Sequence, residues 1–334
     1  FVTIFDADFL PYPDTITQFL KYFQVTAGGL DFRKASSREP LAISNSQLDA
    51  NQLAASDSPI AAVQGYQWHV LNKSENWITR GVRSEYAGSY VIERSGAEAL
   101  GGLKQIAGSV YMIRKDVLAK FGWGTSITED FELTLRLYRD GWKVVYTPYI
   151  QTPSECVSTL KRLIRQRMRW AEGHSYNIKK MFTQLMWGRW EREDNLKFKI
   201  SNLKLGEKDG KQEKVWVPSK LTWMEKLEFL YLSPYYLQAT FFILGTLSWF
   251  IAEAIFQVRL PFWTSLWGWS LVFTNMFSLP LMNTVGLFLE ESEERDYGGI
   301  LSFVLLTYLL VPFQGYAAVK GFLEKQEGPW FRTP

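Results

Sequence analysis

The chain has 334 residues, with 37 Lys and Arg against 34 Asp and Glu, and its net charge of +3 is too small to argue for nucleic acid as a partner. Hydrophobic residues make up 47% and aromatics 16%, yet 21% are charged, which suits a water-soluble domain joined to a membrane-embedded one. A single cysteine, Cys156, excludes an intrachain disulfide framework and makes a reducing, cytosol-facing compartment the default for the soluble part, while two distant histidines, His69 and His174, do not suggest zinc.

Phe1 is preceded by no initiator Met or basic signal region, and residues 1 to 5 already read as a strand, so the chain reads as part of a longer one. Apolar residues at helical spacing follow over 13 to 24, giving a strand, loop, helix opening of α/β type. Residues 28 to 59 read as a long surface insertion, and 60 to 65 (IAAVQG) as a second strand. From 68 to 94 the pattern is aromatic and roughly helical, and 106 to 123 combine a strand-like half with a short helix. The segment 128 to 139 (TEDFELTLRLYR) is the best soluble helix, with Thr128 available as N-cap and two acids in its first turn. GWKVVYTPYI then reads as a strand, 157 to 184 as a long basic helix or helix pair, and 187 to 222 as a charged excursion. Residues 224 to 232 read as an interfacial helix, followed by three apolar runs over 235 to 256, 262 to 289 and 299 to 319. The charged loop 290 to 297 between the last two cannot lie in hydrocarbon.

Three constellations carry chemistry. Asp6 and Asp8, one residue apart at the end of a strand, can approach one hard cation that completes its shell with phosphate oxygens and water; the same pair also reads as a solvated turn. Glu129 and Asp130 sit where a helix macrodipole favours a carboxylate, and also read as ordinary capping acids. In Q-R-M-R-W, helical spacing puts Gln166 and Arg169 on one surface with Trp170 beside them, a set able to grip an anion and cover a sugar face. With Lys161, Arg162, Arg165 and Arg167, the same helix also reads as a basic face on anionic lipid, and both readings can hold together.

The order D-x-D, T-E-D, Q-x-x-R-W, then apolar helices resembles the processive, inverting family 2 glycosyltransferases, the group of cellulose, hyaluronan, mannan and glucan synthases. VQGYQWHVLN (63 to 72) and IAGSVYMIRKDVLAKFGW (106 to 123) resemble further segments of those enzymes, and GPWFRTP (328 to 334) resembles their gating segment. The resemblance leaves out 28 to 59 and 187 to 222. It implies a GT-A α/β catalytic domain over 1 to 186, a charged linker over 187 to 222, an interfacial helix with about three transmembrane segments over 223 to 327, and a gating segment after them.

By the same resemblance, Asp6 and Asp8 hold Mg²⁺ or Mn²⁺ against the diphosphate of a UDP-sugar, a GDP-sugar being second choice, and Asp8 also contacts substrate. Asp130 is the general base with Glu129 orienting it, and Gln166, Arg169 and Trp170 form the floor for a growing polysaccharide. The implied protein is integral to the plasma or inner membrane, with its catalytic domain cytosolic. The early part that holds uracil and ribose in these enzymes has no counterpart, so either the chain is N-terminally incomplete or a partner subunit or second copy supplies it. Two other readings are a transferase adding one sugar to a lipid acceptor and a non-catalytic membrane subunit. Three spans would also put GPWFRTP on the side opposite the catalytic domain, so one run is expected to be interfacial or bent.

Overall fold

Four strands drawn from distant parts of the chain make the main sheet of the computed structural model, which describes residues 1–24, 60–192, 214–258, 262–290 and 296–328. They are β1 (Val2–Ile4), β2 (Ile60–His69), β3 (Tyr111–Ile113) and β4 (Lys143–Ser154), in the order β1-β3-β2-β4. β2 and β4 are parallel, while β3 runs antiparallel to both β1 and β2. β2 is buried along nearly its whole length, because helices cover both faces of the sheet.

The helices, in chain order, are α1 (Thr15–Gln24), α2 (Trp77–Ala87), α3 (Arg94–Ala99), α4 (Lys115–Phe121), α5 (Glu129–Arg139) and α6 (Leu160–Met186). α7 (Trp223–Leu232), α8 (Tyr235–Phe250), α9 (Phe262–Leu289) and α10 (Tyr297–Leu323) follow. Phe131, Leu133 and Leu137 of α5 are fully buried together with Tyr111 of β3, Ile178 of α6 and Phe229 of α7. Each such side chain contributes roughly 1.5–3 kcal/mol of burial, and together they fix the start of α5 relative to the sheet. A second cluster joins Tyr66 of β2 and Tyr86 of α2 to Leu163 of α6 and Leu306 and Leu310 of α10. On the third, Phe19 and Phe23 of α1 pack on Ile60, Val63 and Val145.

Several sequence expectations change. Residues 68 and 69 are not helical: Trp68 and His69 extend β2 and pair with Pro153 and Ser154 at the far end of β4. α2 starts only at Trp77, where Asn76 closes a capping box with Thr79, and it runs into a π-helical turn, Gly88–Glu93. The basic stretch is one helix of 27 residues, α6. Within 187 to 222, the described residues form a two-stranded antiparallel ribbon, β5 (Gly188–Arg192) and β6 (Lys214–Pro218), on which Trp190 and Trp216 meet edge to face at 5.3 Å. The insertion read over 28 to 59 lies outside the described residues.

Among the described residues, one helix, Gly298–Leu323, is long and apolar enough to cross a membrane, and Pro280–Leu289 is apolar but shorter. That long helix is fastened to the α/β unit at both ends. Asp296, at its start, pairs with Arg80 at 2.8 Å, and Lys320, near its finish, pairs with Glu172 of α6 at 2.9 Å. Between those points it lies along α6 and α2, with Leu306 and Leu310 in the second cluster and Ala317 and Ala318 against Ala171. α9 is fastened too: Glu290 after its last turn is buried against Arg83 and accepts the Tyr66 hydroxyl. Asn283 of α9 is fully buried against Gly88, whereas the side chain of Asn275 lies outside the described residues.

Candidate active site

Asp6 leaves the end of β1 with its backbone N–H donating to the Ser109 hydroxyl at 2.8 Å, which draws the D-x-D turn onto the loop before β3. Its carboxyl titrates above the ordinary range, first because burial desolvates it, then because Asp8 and Glu129 add like charge; Arg169 opposes the rise. One electrostatic neighbourhood therefore contains Asp6 and Asp8 from the β1 end, Glu129 from α5 and Arg169 from α6. Asp130 joins it, with its pKa pushed up to about 6 by desolvation and by Glu129, again opposed by Arg169.

The loop over residues 107–110 is the hinge of this arrangement. Gly108 has φ +77°, and a Cβ there would lie 3.3 Å from Asp130 Oδ2, so glycine serves both the backbone and the space above the carboxylate. Val110 sits at φ +58°, a conformation that costs a β-branched residue about 1–3 kcal/mol. Two buried amides from β2 hold the loop there: Gln64 accepts from Ala107 N–H at 2.8 Å and donates to Ser109 O at 2.9 Å, and Gln67 donates to Ser109 O at 3.1 Å. The sequence reading gave no role to Ser109, Gln64 or Gln67. Their signal was present, since an amide inside an otherwise apolar strand must find partners.

α5 starts where the sequence puts it, but without the expected capping bond. Thr128 occupies the N-cap position but makes no capping bond to its own helix; its hydroxyl accepts from Asn177 of α6 at 3.1 Å. Gly173 lets that contact form, because a Cβ there would meet Thr128 Oγ1 at 2.5 Å. Asp130 Oδ1 accepts from Phe131 N–H at 2.8 Å, leaving Oδ2 toward Gly108.

On α6, the Arg169 guanidinium donates to Ile127 O at 3.3 Å, and its buried Nε has no partner. Gln166 is half-buried one turn earlier. Trp170 packs against the Tyr66 and Tyr86 cluster, and the Arg167 guanidinium lies 4.4 Å over its ring, covering one of the two stacking faces. Arg167 is thus not part of a lipid-facing surface: it is buried and paired with Glu85 at 2.7 Å, whereas Lys161, Arg162 and Arg165 are exposed.

The donor chemistry fits a divalent cation only in part from the protein. Among the described residues, no group of three or more side chains could hold a metal unaided. Asp6 and Asp8 offer hard oxygens in a place where like charge already raises the Asp6 pKa, and two carboxylates suit an ion that takes its other ligands from phosphate and water.

The model of the family described as "Glycosyl transferase family group 2" matches residues 45–314. A Beta-monoglucosyldiacylglycerol synthase of Trichormus variabilis is 34% identical over 106 residues, 31% of this chain and 22% of that protein. A Probable glucomannan 4-beta-mannosyltransferase 6 of Oryza sativa subsp. japonica is 27% identical over 188 residues, 56% of this chain and 27% of that protein. The chain therefore matches roughly a quarter of the length of these curated relatives. A solved structure, mannosyltransferase PcManGT from Pyrobaculum calidifontis in complex with GDP-Man and Mn²⁺, aligns with 97% of this chain and 62% of its own at TM-score 0.43 and 13% identity.

Proposed function

The chain belongs to glycosyl transferase family group 2, and on that premise we propose that it is the catalytic part of a membrane-embedded, processive β-glycosyltransferase that extends and exports a polysaccharide from a nucleotide-sugar donor. The observation that carries the reading is the grouping of Asp6, Asp8, Glu129, Asp130 and Arg169 about one loop at the end of the sheet. Open α/β sheets place ligands at such strand ends.

In this reading Asp130 is the general base. Its Oδ1 is occupied by Phe131 N–H, so Oδ2, above Gly108, takes the proton of the acceptor hydroxyl. Burial and Glu129 raise its pKa toward the working pH, which strengthens it as a base while leaving it ionised at neutrality. The oxygen so freed displaces the nucleoside diphosphate in one step, giving inversion. Asp6 and Asp8 would hold Mg²⁺ or Mn²⁺, which when bound stabilises negative charge growing on the leaving diphosphate. Arg169, tethered to Ile127 O, offers a fixed positive group to the same charge. Gln166 and Trp170 form the acceptor floor, where stacking holds a sugar ring without fixing each hydroxyl. The donor is a UDP-sugar by resemblance, with GDP-sugars second.

We place the catalytic unit at the cytosolic face of a bilayer. α8 with its π-helical end Ile251–Ile255 goes out and α9 comes back, because Pro234 leads into the first at the unit's surface and Glu290 at the end of the second is buried in that unit. α10 then lies in the plane of the interface, supported by its ties at both ends and by a stripe of exposed apolar side chains that includes Leu301, Leu305, Tyr316 and Leu323. This puts Gly328 back beside α6, on the catalytic side. The residues read as a gating segment after it, 329 to 334, lie outside the described ones.

A second reading, transfer of one sugar to a lipid acceptor, is favoured by the 34% identity to the glucosyldiacylglycerol synthase. Incubating membranes that contain the complete protein with radiolabelled UDP- and GDP-sugars and Mg²⁺ or Mn²⁺ separates the two. A high-mass product with β-linkages is expected; a single-sugar glycolipid would replace the polymer reading, and no transfer from any donor would end both.

A further inference from the structure

We propose that Glu327, in the strap that follows α10, is a positioning residue for Asp130, acting through the turn 126–128 from which α5 starts; this rests on reading Asp130 as the base. Thr128, at the N-cap of the helix that bears Asp130, gives that helix no capping bond, so the placement of its first turn leans on groups from outside it.

Ser126 gathers those groups. Its hydroxyl accepts from Thr128 N–H at 3.2 Å and from Asn177 Nδ2 at 2.7 Å, and it donates to Glu327 Oε1 at 2.7 Å, which uses the donor and both acceptor positions. The Glu327 carboxylate also accepts from the Ile127 amide. Ile127 O in turn holds Arg169. Three consecutive residues ahead of Glu129 and Asp130 are thus gripped by the strap on one side and by α6 on the other.

The strap can bear that load because it is itself fixed. Lys325 O accepts from the Tyr176 hydroxyl at 3.3 Å, Lys179 reaches Glu324 O, and Gly328 N–H donates to Glu172 Oε1 at 3.3 Å. All three partners stand on α6, the helix that carries Gln166, Arg169 and Trp170. A cavity of about 270 Å³ opens beside the Glu327–Ser126 bond, with Lys180, Glu132 and Tyr176 in its lining, so the carboxylate keeps one side toward solvent. A carboxylate bound to a neutral hydroxyl and one amide, with room beside it, is a contact that can be broken without collapsing the core. Changing it should therefore alter the aim of Asp130 before it alters folding.

The test uses the full-length protein in membranes, with whichever of UDP-glucose and GDP-mannose yields product, and the variants Glu327→Ala, Glu327→Gln, Ser126→Ala and the Glu327→Ala/Ser126→Ala double. Glu327→Ala should lower kcat about tenfold, as small misplacements of a catalytic group do, while donor KM moves less than about twofold. Glu327→Gln, which keeps one acceptor oxygen, should recover part of the loss, and the losses in the double variant should fall short of multiplying, because both changes cut the Glu327–Ser126 bond while Ser126→Ala also removes the bonds to Thr128 and Asn177. Wild-type kcat in Glu327→Ala overturns the proposal. So does a parallel fall in kcat, donor affinity and thermal midpoint that Gln does not relieve, or losses that multiply in the double. If Glu327→Ala fails to accumulate, Glu327→Gln and Ser126→Ala decide: lower kcat at unchanged donor KM in both supports it, and wild-type kcat in both overturns it. Full turnover in Asp130→Asn would instead remove the base reading itself, a separate outcome from any of these.

Discussion

Asp130 carries opposite demands on stability and on chemistry. A carboxyl held up to about 6 by burial and by Glu129 binds its proton more tightly in the folded chain than in the unfolded one. Its charged form therefore destabilises the fold, and that cost grows as pH rises from the unfolded value near 4 through about 6. Removing the charge should raise the thermal midpoint at pH 8 while removing the base. Asp130→Asn is expected to be at least as stable as the parent in detergent at that pH and to lose roughly 10²–10⁴-fold in kcat. In the parent, kcat/KM, which follows ionisations of the free enzyme, should rise with pH through about 6 and then level, and a profile flat from pH 5 to 8 would exclude Asp130 as the base. Asp6 and Asp8 make a different prediction. EDTA should stop product formation and added Mn²⁺ or Mg²⁺ restore it, whereas Asp6→Asn should relieve repulsion with Asp8 and Glu129 and so fold well while staying inactive at any metal concentration. Full transfer in EDTA would remove the cation from the reading.

At the scale of elements, legibility followed whether a segment's neighbours are local. α5 could be read because its first-turn acids and apolar positions are set within its own 11 residues. The extension of β2 through Trp68 and His69 could not, since an aromatic run fits helical spacing and only pairing with Pro153 and Ser154 makes it a strand. The ribbon of β5 and β6 was missed for the same reason: its two halves are short and separated, and their antiparallel register is a property of the pair. Within the site, Asp6, Asp8, Glu129, Asp130, Gln166, Arg169 and Trp170 could be nominated from motif order, but not Gln64, Gln67 and Ser109, whose contribution is a loop conformation, nor the pairing of Arg167 with Glu85 that takes it off the surface. The contact between α9 and the sheet also lies beyond local pattern, and it can be tested. Arg83 and Glu290 are both buried, and Glu290 also accepts from Tyr66. Arg83→Met leaves an uncompensated carboxylate in that place and should cost about 3–5 kcal/mol, read as a lower thermal midpoint in detergent. Pairing it with Glu290→Gln should recover much of the loss. Equal damage from the double and the single variant would mean that packing of the arginine stem, not charge, holds α9 there.

For the molecule as a whole, the deciding question is which way α10 lies. By composition it is the described helix best able to span a bilayer, and its 26 apolar-rich residues would reach about 39 Å at 1.5 Å per residue. Its partners argue otherwise. α6 runs beside it, and Lys161, Arg162 and Arg165 of α6 are exposed, so a crossing α10 would carry those charges toward hydrocarbon at about 2.5–3.5 kcal/mol each even on the gentlest scale. Lying flat, the same basic groups meet anionic headgroups, each contributing about 1 kcal/mol, and the exposed leucines face acyl chains. Because Cys156 is the only cysteine and is buried, a Cys156→Ser background permits single reporters. Cysteines placed at Gly298, in the first turn of α10, and at Gln326, beyond its last residue, should both react with a membrane-impermeant maleimide from the catalytic side. A lipid-soluble spin label at Leu305 or Leu323 should report a depth near the headgroups rather than the bilayer centre. Labelling of the two ends from opposite sides would make α10 a span, put the strap across the membrane from Ser126, and so require the Glu327–Ser126 bond to be absent in the membrane.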